Sequence, residues 1–160
     1  MIERSELRLR VNGTWQEVRA TPQDTLLDVL RRELGLFSCR ETCGIGLCGA
    51  CTVSRDGKAI SSCLVLALAA GEWSITTAEG LVQAGQLHPV QQAFVDAQAF
   101  QCSFCTPGFV MSLVAMLAEP PEQRSVAAAL SGHLCRCGSY GQIAEAARQL
   151  MADHDMNQEG

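Results

Sequence analysis

At 160 residues, 48% of them hydrophobic, the chain is long enough for one ordinary domain or two small ones with modest apolar cores. Its net charge of −5 comes without any dense lysine or arginine run, which removes the basic footprint that nucleic-acid binding needs. No stretch approaches the roughly 20 consecutive apolar residues of a membrane span, and Met1 to Glu6 lacks the basic-then-apolar pattern of a secretory signal. A cytoplasmic protein is expected, or one exported folded beside a partner that carries a signal.

Leu7, Leu9 and Val11 alternate with Arg8 and Arg10, which predicts a strand with one buried face. Asn12-Gly13 then predicts a tight hairpin turn, with Trp15 to Ala20 as the returning strand. Thr25 precedes an apolar pattern of Leu26, Leu27, Val29, Leu30 and Leu34, with Asp28 completing a capping box and Gly35 placed to stop the helix, so a helix is expected over 25–34. Short strands follow at Ala50 to Ser54, Lys58 to Leu66 and Trp73 to Ala78, with Asp56-Gly57 turning between the first two. The longest apolar run, Cys63 to Ala70, reads as buried core.

Beyond Leu81 strand signals vanish and alanine, glutamine and leucine dominate. Helices are expected at Pro89 to Ala99, Pro107 to Ala118, Ser125 to Leu134 and Tyr140 to Ala152. The fold class is therefore α+β: a small ferredoxin-sized α+β domain over 1–80, an all-α four-helix domain over 81–155, and a frayed tail over 156–160.

Nine cysteines is a high count, and a reducing compartment favours metal ligation over disulfides. Nine cannot all pair, whereas two sets of four and one spare thiol account for the number. Cys43, Cys48 and Cys51 stand as C-x4-C-x2-C with Cys63 downstream, the plant-type [2Fe–2S] ferredoxin spacing. Glycines 44, 46 and 49 allow such a loop to turn sharply and aim backbone N–H groups at the sulfurs. A zinc knuckle also uses four thiolates, but commonly takes them as two short pairs. Cys39, four residues before Cys43, is read as a packed free thiol.

Cys102 and Cys105, with Cys135 and Cys137, form two pairs in the helical half, and by spacing alone they suit zinc or iron–sulfur equally. The surroundings lean towards a charged redox centre. Thr106 is placed as N-cap with Pro107 in the first turn, and Ser139 with Gln142 has the form of a capping box, so two helix N-termini are aimed at one anionic group. Arg136, between two ligands, either offsets charge there or is solvated.

Three segments together, Cys43 to Val53, Gln101 to Gly108 and Leu130 to Tyr140, resemble the iron–sulfur subunit of the xanthine dehydrogenase/aldehyde oxidoreductase family of molybdenum hydroxylases. The resemblance covers nearly the whole chain and implies a β-grasp ferredoxin-like domain, then a four-helix domain, each with a [2Fe–2S] cluster. It implies that Cys102, Cys105, Cys135 and Cys137 hold the cluster nearer molybdenum, and Cys43, Cys48, Cys51 and Cys63 the outer one. Gln101 and Cys137 match positions beside the pterin. The large partner subunit would carry molybdopterin, in its cytosine dinucleotide form, and hydroxylate an aldehyde or an aromatic N-heterocycle. Thr42, Ser103 and His133 stand where the family commonly has glycine, glycine and asparagine. Cys137-Gly138-Ser139-Tyr140 is similar to the branch of isoquinoline and nicotinate hydroxylases, which favours, for the electron acceptor, a cytochrome c over an FAD subunit. His88, His133 and His154 have no nucleophile and orienting group in evident register, so no substrate chemistry is expected in this chain.

Overall fold

The computed structural model describes residues 3–156. Strands β1 (Ser5–Val11) and β2 (Thr14–Ala20) form the expected antiparallel hairpin, with Leu7 opposite Val18 and Val11 opposite Thr14. Its turn residues Asn12 and Gly13 have φ of 51° and 81°, the left-handed pair that a two-residue hairpin matching the strand twist requires. Strands β3 (Thr52–Arg55) and β4 (Lys58–Ser61) repeat the device through Asp56 and Gly57. With β5 (Ser74–Thr76), which pairs parallel to β1 and antiparallel to β3, they make a five-stranded mixed sheet in the order β2-β1-β5-β3-β4. Helix α1 (Leu26–Arg32) covers one face, and Leu26, Val29 and Leu30 enter a core with Leu9, Val11, Val53 and Ile75. The Thr25 capping box forms as expected, its hydroxyl accepting from Asp28 N–H and the Asp28 carboxylate accepting from Thr25 N–H.

The second core runs from Ala78 to Leu150. Helix α3 (Thr106–Leu117) is its centre, because Phe109, Met111 and Leu113 are apolar round its whole girth. Against it pack α2 (Pro89–Asp96), α4 (Val126–Ser131) and α5 (Tyr140–Met156), the last through Ile143, Ala146, Ala147 and Leu150 at helical spacing. The chain is thus a ferredoxin-like α+β unit followed by a helical one.

Several boundaries differ from expectation. The strand beginning at Lys58 stops at Ser61, since the chain turns through a 3-10 segment, Ser62–Leu64, pinned by the Ser62 hydroxyl on the Cys51 carbonyl at 2.7 Å. The run Cys63 to Ala70 is only partly core: its two 3-10 turns bury Cys63, Ala67 and Ala70 but turn Leu64, Leu66 and Leu68 outward. Helix α2 ends at Asp96, since Gln98 takes φ 47°. Helix α4 ends at Ser131, and α5 continues to Met156, beyond which the expected tail lies outside the described residues.

Candidate metal centres

The loop bearing Cys43, Cys48 and Cys51 leads into β3, and Cys63 sits in the 3-10 turn after β4, so the sheet edge brings the fourth cysteine back to the other three. Glycines 44, 46 and 49 have φ of 66°, 74° and 70°. That backbone turns N–H groups inward. Those of Ile45 and Cys48 hold the Cys43 thiol down to about 6. Burial instead pushes Cys63 up to about 11, helped by the neighbouring Cys51 thiol.

In the helical half, Cys102 and Cys105 lie on the loop entering α3, and Cys135 and Cys137 on the loop between α4 and α5. The Phe104 N–H lowers Cys102. Burial raises Cys135, but N–H groups led by that of Ser139, 3.4 Å away, bring it below its ordinary value. Cys105 is pushed up to about 12, chiefly by burial and then by the adjacent Cys135 thiol.

The thiols meet in four pairs, which spacing does not disclose. Cys43 contacts Cys48, Cys51 contacts Cys63, Cys105 contacts Cys135, and Cys102 contacts Cys137. Among the described residues no three His, Cys, Asp or Glu side chains are gathered as a single metal ion would require. A [2Fe–2S] rhomb takes two thiolates at each iron, so two pairs per site is the arrangement it needs. The residues present fit that group. Cys39 lies apart from these pairs: it is buried in the first core, its thiol pushed up to about 12 mainly by burial and then by the Glu79 carboxylate, with Ser38 opposing.

Two expected helix caps do not form. Cys105, not Thr106, is the N-cap of α3, and the Thr106 hydroxyl is buried without a partner. The Ser139 hydroxyl is likewise buried and unpaired, because the segment is held by its backbone N–H on Cys135 sulfur. Gln101 and Cys137 do come together, the Gln101 amide donating to the Cys137 carbonyl at 3.2 Å on an exposed edge. Arg136 is exposed.

The two loops touch. Leu134 N–H donates to the Cys48 carbonyl at 3.0 Å, so one peptide contact separates the two cysteine sets. Beside it His133, only 7% exposed, stacks on Phe109 with 4.7 Å between ring centres and places Nε2 3.3 Å from Thr52 Oγ1 and 3.2 Å from Ser112 Oγ. Backbone packing is equally close: a Cβ on Gly108 would stand 2.2 Å from the Gly49 carbonyl oxygen. Sequence reasoning did not single out His133, Gly49 or Gly108 as an interface, since their partners lie on distant segments.

Comparison with known proteins agrees with this geometry. Residues 9–73 match the family described as 2Fe-2S iron-sulfur cluster binding domain, and residues 77–148 that described as [2Fe-2S] binding domain. The chain is 40% identical to the nicotinate dehydrogenase small FeS subunit of Eubacterium barkeri, across 89% of its own length and 92% of that protein's. It is 45% identical to the xanthine dehydrogenase iron-sulfur-binding subunit of Escherichia coli, across 83% and 86%. Quinoline 2-oxidoreductase from Pseudomonas putida superimposes with a TM-score of 0.86 at 33% identity, covering 98% of each chain. With two cluster-binding domains in series and relatives of this closeness, the chain belongs to the iron–sulfur subunits of the molybdenum hydroxylase family, electron-transfer chains that serve a molybdopterin-bearing large subunit.

Proposed function

We propose that Cys102, Cys105, Cys135 and Cys137 hold the cluster that receives electrons from the molybdopterin of the large subunit, and that Cys43, Cys48, Cys51 and Cys63 hold the cluster that passes them out. The pairing of the eight thiols, two pairs to each set, carries this reading. When bound, each cluster accepts and releases one electron at a time. The protein's part is to present the thiolates, stabilise their charge through backbone N–H donors, shelter the inner sulfurs of Cys51, Cys63 and Cys105, and keep the two loops in contact at Leu134 and Cys48. Gln101 and Cys137, joined on their exposed edge, are the residues we place against the pterin, in its cytosine dinucleotide form. The likeness to nicotinate dehydrogenase, quinoline 2-oxidoreductase and aldehyde oxidoreductases supports an aromatic N-heterocycle or an aldehyde as the substrate of the complex. For the acceptor we take a cytochrome c in place of an FAD subunit, on the likeness of Cys137-Gly138-Ser139-Tyr140 to the isoquinoline and nicotinate hydroxylase branch, in a complex that works in the cytoplasm or is exported folded.

The test is anaerobic EPR of the dithionite-reduced complex with metal analysis. Two S = 1/2 signals and about four irons per chain, with molybdenum co-purifying, are expected. Cys39→Ala is expected to keep both signals, whereas Cys63→Ser and Cys105→Ser each disturb one. Zinc in place of half the iron would overturn the assignment for the helical half.

A further inference from the structure

We propose that Arg40, three residues before Cys43 in the first cysteine loop, is a positioning residue of the second cluster. Its backbone N–H donates to the Ala50 carbonyl at 3.0 Å, which fixes it to the far end of its own loop. Its guanidinium crosses to the helical half and lies over the Phe104 ring, 5.6 Å from the centroid, within reach of cation–π attraction. Among the described residues no ion pair engages Arg40, and its Nε is buried without a hydrogen-bond partner, so the ring is the contact that decides where this charge sits. Phe104 stands between Cys102 and Cys105, and its backbone N–H donates to the Cys102 sulfur.

The loop under the guanidinium needs holding. Ser103 has φ 61°, in the left-handed region that a side chain with Cβ occupies only at a cost, and this turn sets the direction of the Phe104 N–H. By packing on the ring, Arg40 steadies a donor to a ligand sulfur and also fixes a positive charge beside the second set. Both effects have the same sign. Reduction makes the cluster more negative, so an N–H donor and a nearby cation each stabilise the reduced form and raise the potential.

This inference rests on the ligand assignment above, and its test separates the two. EPR-monitored redox titration of the whole complex reads both signals in Arg40→Leu, Arg40→Lys and Phe104→Leu, each signal being assigned by the Cys43→Ser and Cys105→Ser variants. Arg40→Leu is expected to lower the second cluster's midpoint, so that at the wild-type midpoint the oxidised form exceeds the reduced by about threefold or more, roughly 30 mV for a one-electron couple. Phe104→Leu shifts the same signal in the same direction, and Arg40→Lys, which keeps the charge but loses the planar face, falls between. Loss of the second signal alone in Arg40→Leu also supports the proposal, because the substitution lies in the other loop. A shift confined to the first signal, or no shift in either, overturns it and leaves the two-cluster assignment standing. A single signal in the unmodified complex removes both.

Discussion

Three glycines in left-handed backbone separate conformational need from close approach. Gly13, at φ 81°, faces open space, so Gly13→Ala costs only the backbone preference, about 1–2 kcal/mol. Gly46 has Leu64 Cδ1 at 2.4 Å from an added Cβ, but that is the free end of an exposed side chain and can swing aside. At Gly49 the added Cβ meets the Gly132 carbonyl oxygen at 2.6 Å and the His133 ring at 2.4 Å, neither of which can retreat without parting the two halves. Gly49→Ala is therefore expected to add about 1–3 kcal/mol of overpacking to the backbone cost. Thermal denaturation of the three variants in the complex checks this, with the largest loss at Gly49; equal losses at Gly13 and Gly49 would mean that the interface yields freely.

Among the elements, the 3-10 turn Ala78–Leu81 ties the start of the helical half to the first. Its Glu79 carboxylate accepts from Ser38 N–H at 2.7 Å, from the Ser38 hydroxyl and from Thr77 Oγ1 at 2.6 Å, which anchors the connecting segment to the loop before Cys39. Partial burial raises its pKa, but the donors at Ser38 and Thr77 outweigh this and hold it below the ordinary 4.5. A depressed carboxylate contributes stability above its unfolded pKa and loses it as pH falls through the lower folded value. Glu79→Gln is expected to cost about 1 kcal/mol near neutral pH, solvent screening limiting the loss at this exposed group. Melting curves should show the gap to wild type closing as pH falls below 4.5; a gap independent of pH would assign the effect to shape alone. Such ties are hard to foresee from a linear chain, whereas local ones were plain. Asn12-Gly13 and Asp56-Gly57 announced their hairpins because two successive left-handed residues have few alternatives. Thr25 and Asp28 announced a cap for the same local reason. The caps expected at Thr106 and Ser139 failed where cysteine loops took over the helix starts, and His88, whose Nδ1 accepts from Val90 N–H at 3.2 Å, capped α2 without an N-cap residue of the usual kind. The alternating exposure of Leu64, Leu66 and Leu68 was hidden because an apolar run looks alike in a buried strand and in a 3-10 coil. At the candidate centres, spacing grouped the cysteines into two sets, but which thiol meets which depends on how β4 and α4 return the chain. Gln101 came to notice through family resemblance alone.

At the scale of the whole molecule, the arrangement depends on two units keeping one orientation. The cysteine-loop residues Ile45, Leu47 and Leu134 are 63%, 66% and 60% exposed, an apolar rim suited to a chain that works inside a complex. Inside that rim His133 is the bolt. The Thr52 hydroxyl gives its own proton to the Gly49 carbonyl at 2.7 Å, so towards His133 it can only accept, and Nε2 must carry the hydrogen. The ring thus donates from the helical unit to the ferredoxin-like one and packs against Phe109 at an interplanar angle of 32°, next to the Leu134 N–H that donates to the Cys48 carbonyl. Its other nitrogen, Nδ1, is buried without a hydrogen-bond partner, and burial holds the imidazole below its ordinary pKa, the backbone of Gly108 offsetting this only in part. Truncation to alanine removes both the stacking and the donor and opens a cavity between units, an expected loss of about 2–4 kcal/mol. Glutamine at this position can place an amide N–H2 where Nε2 meets the two hydroxyls but lacks the ring, so His133→Gln should lose about half as much. The consequence for function lies in the contact between the cysteine loops: in His133→Ala the magnetic interaction between the two reduced clusters, read as splitting in low-temperature EPR, is expected to weaken or spread over a range of values, while each cluster's own signal persists. If the splitting survives intact alongside a lowered melting temperature, the histidine stabilises each unit separately and the Leu134–Cys48 contact is held by the surrounding backbone, with the glycines at 49 and 108 as its principal fasteners.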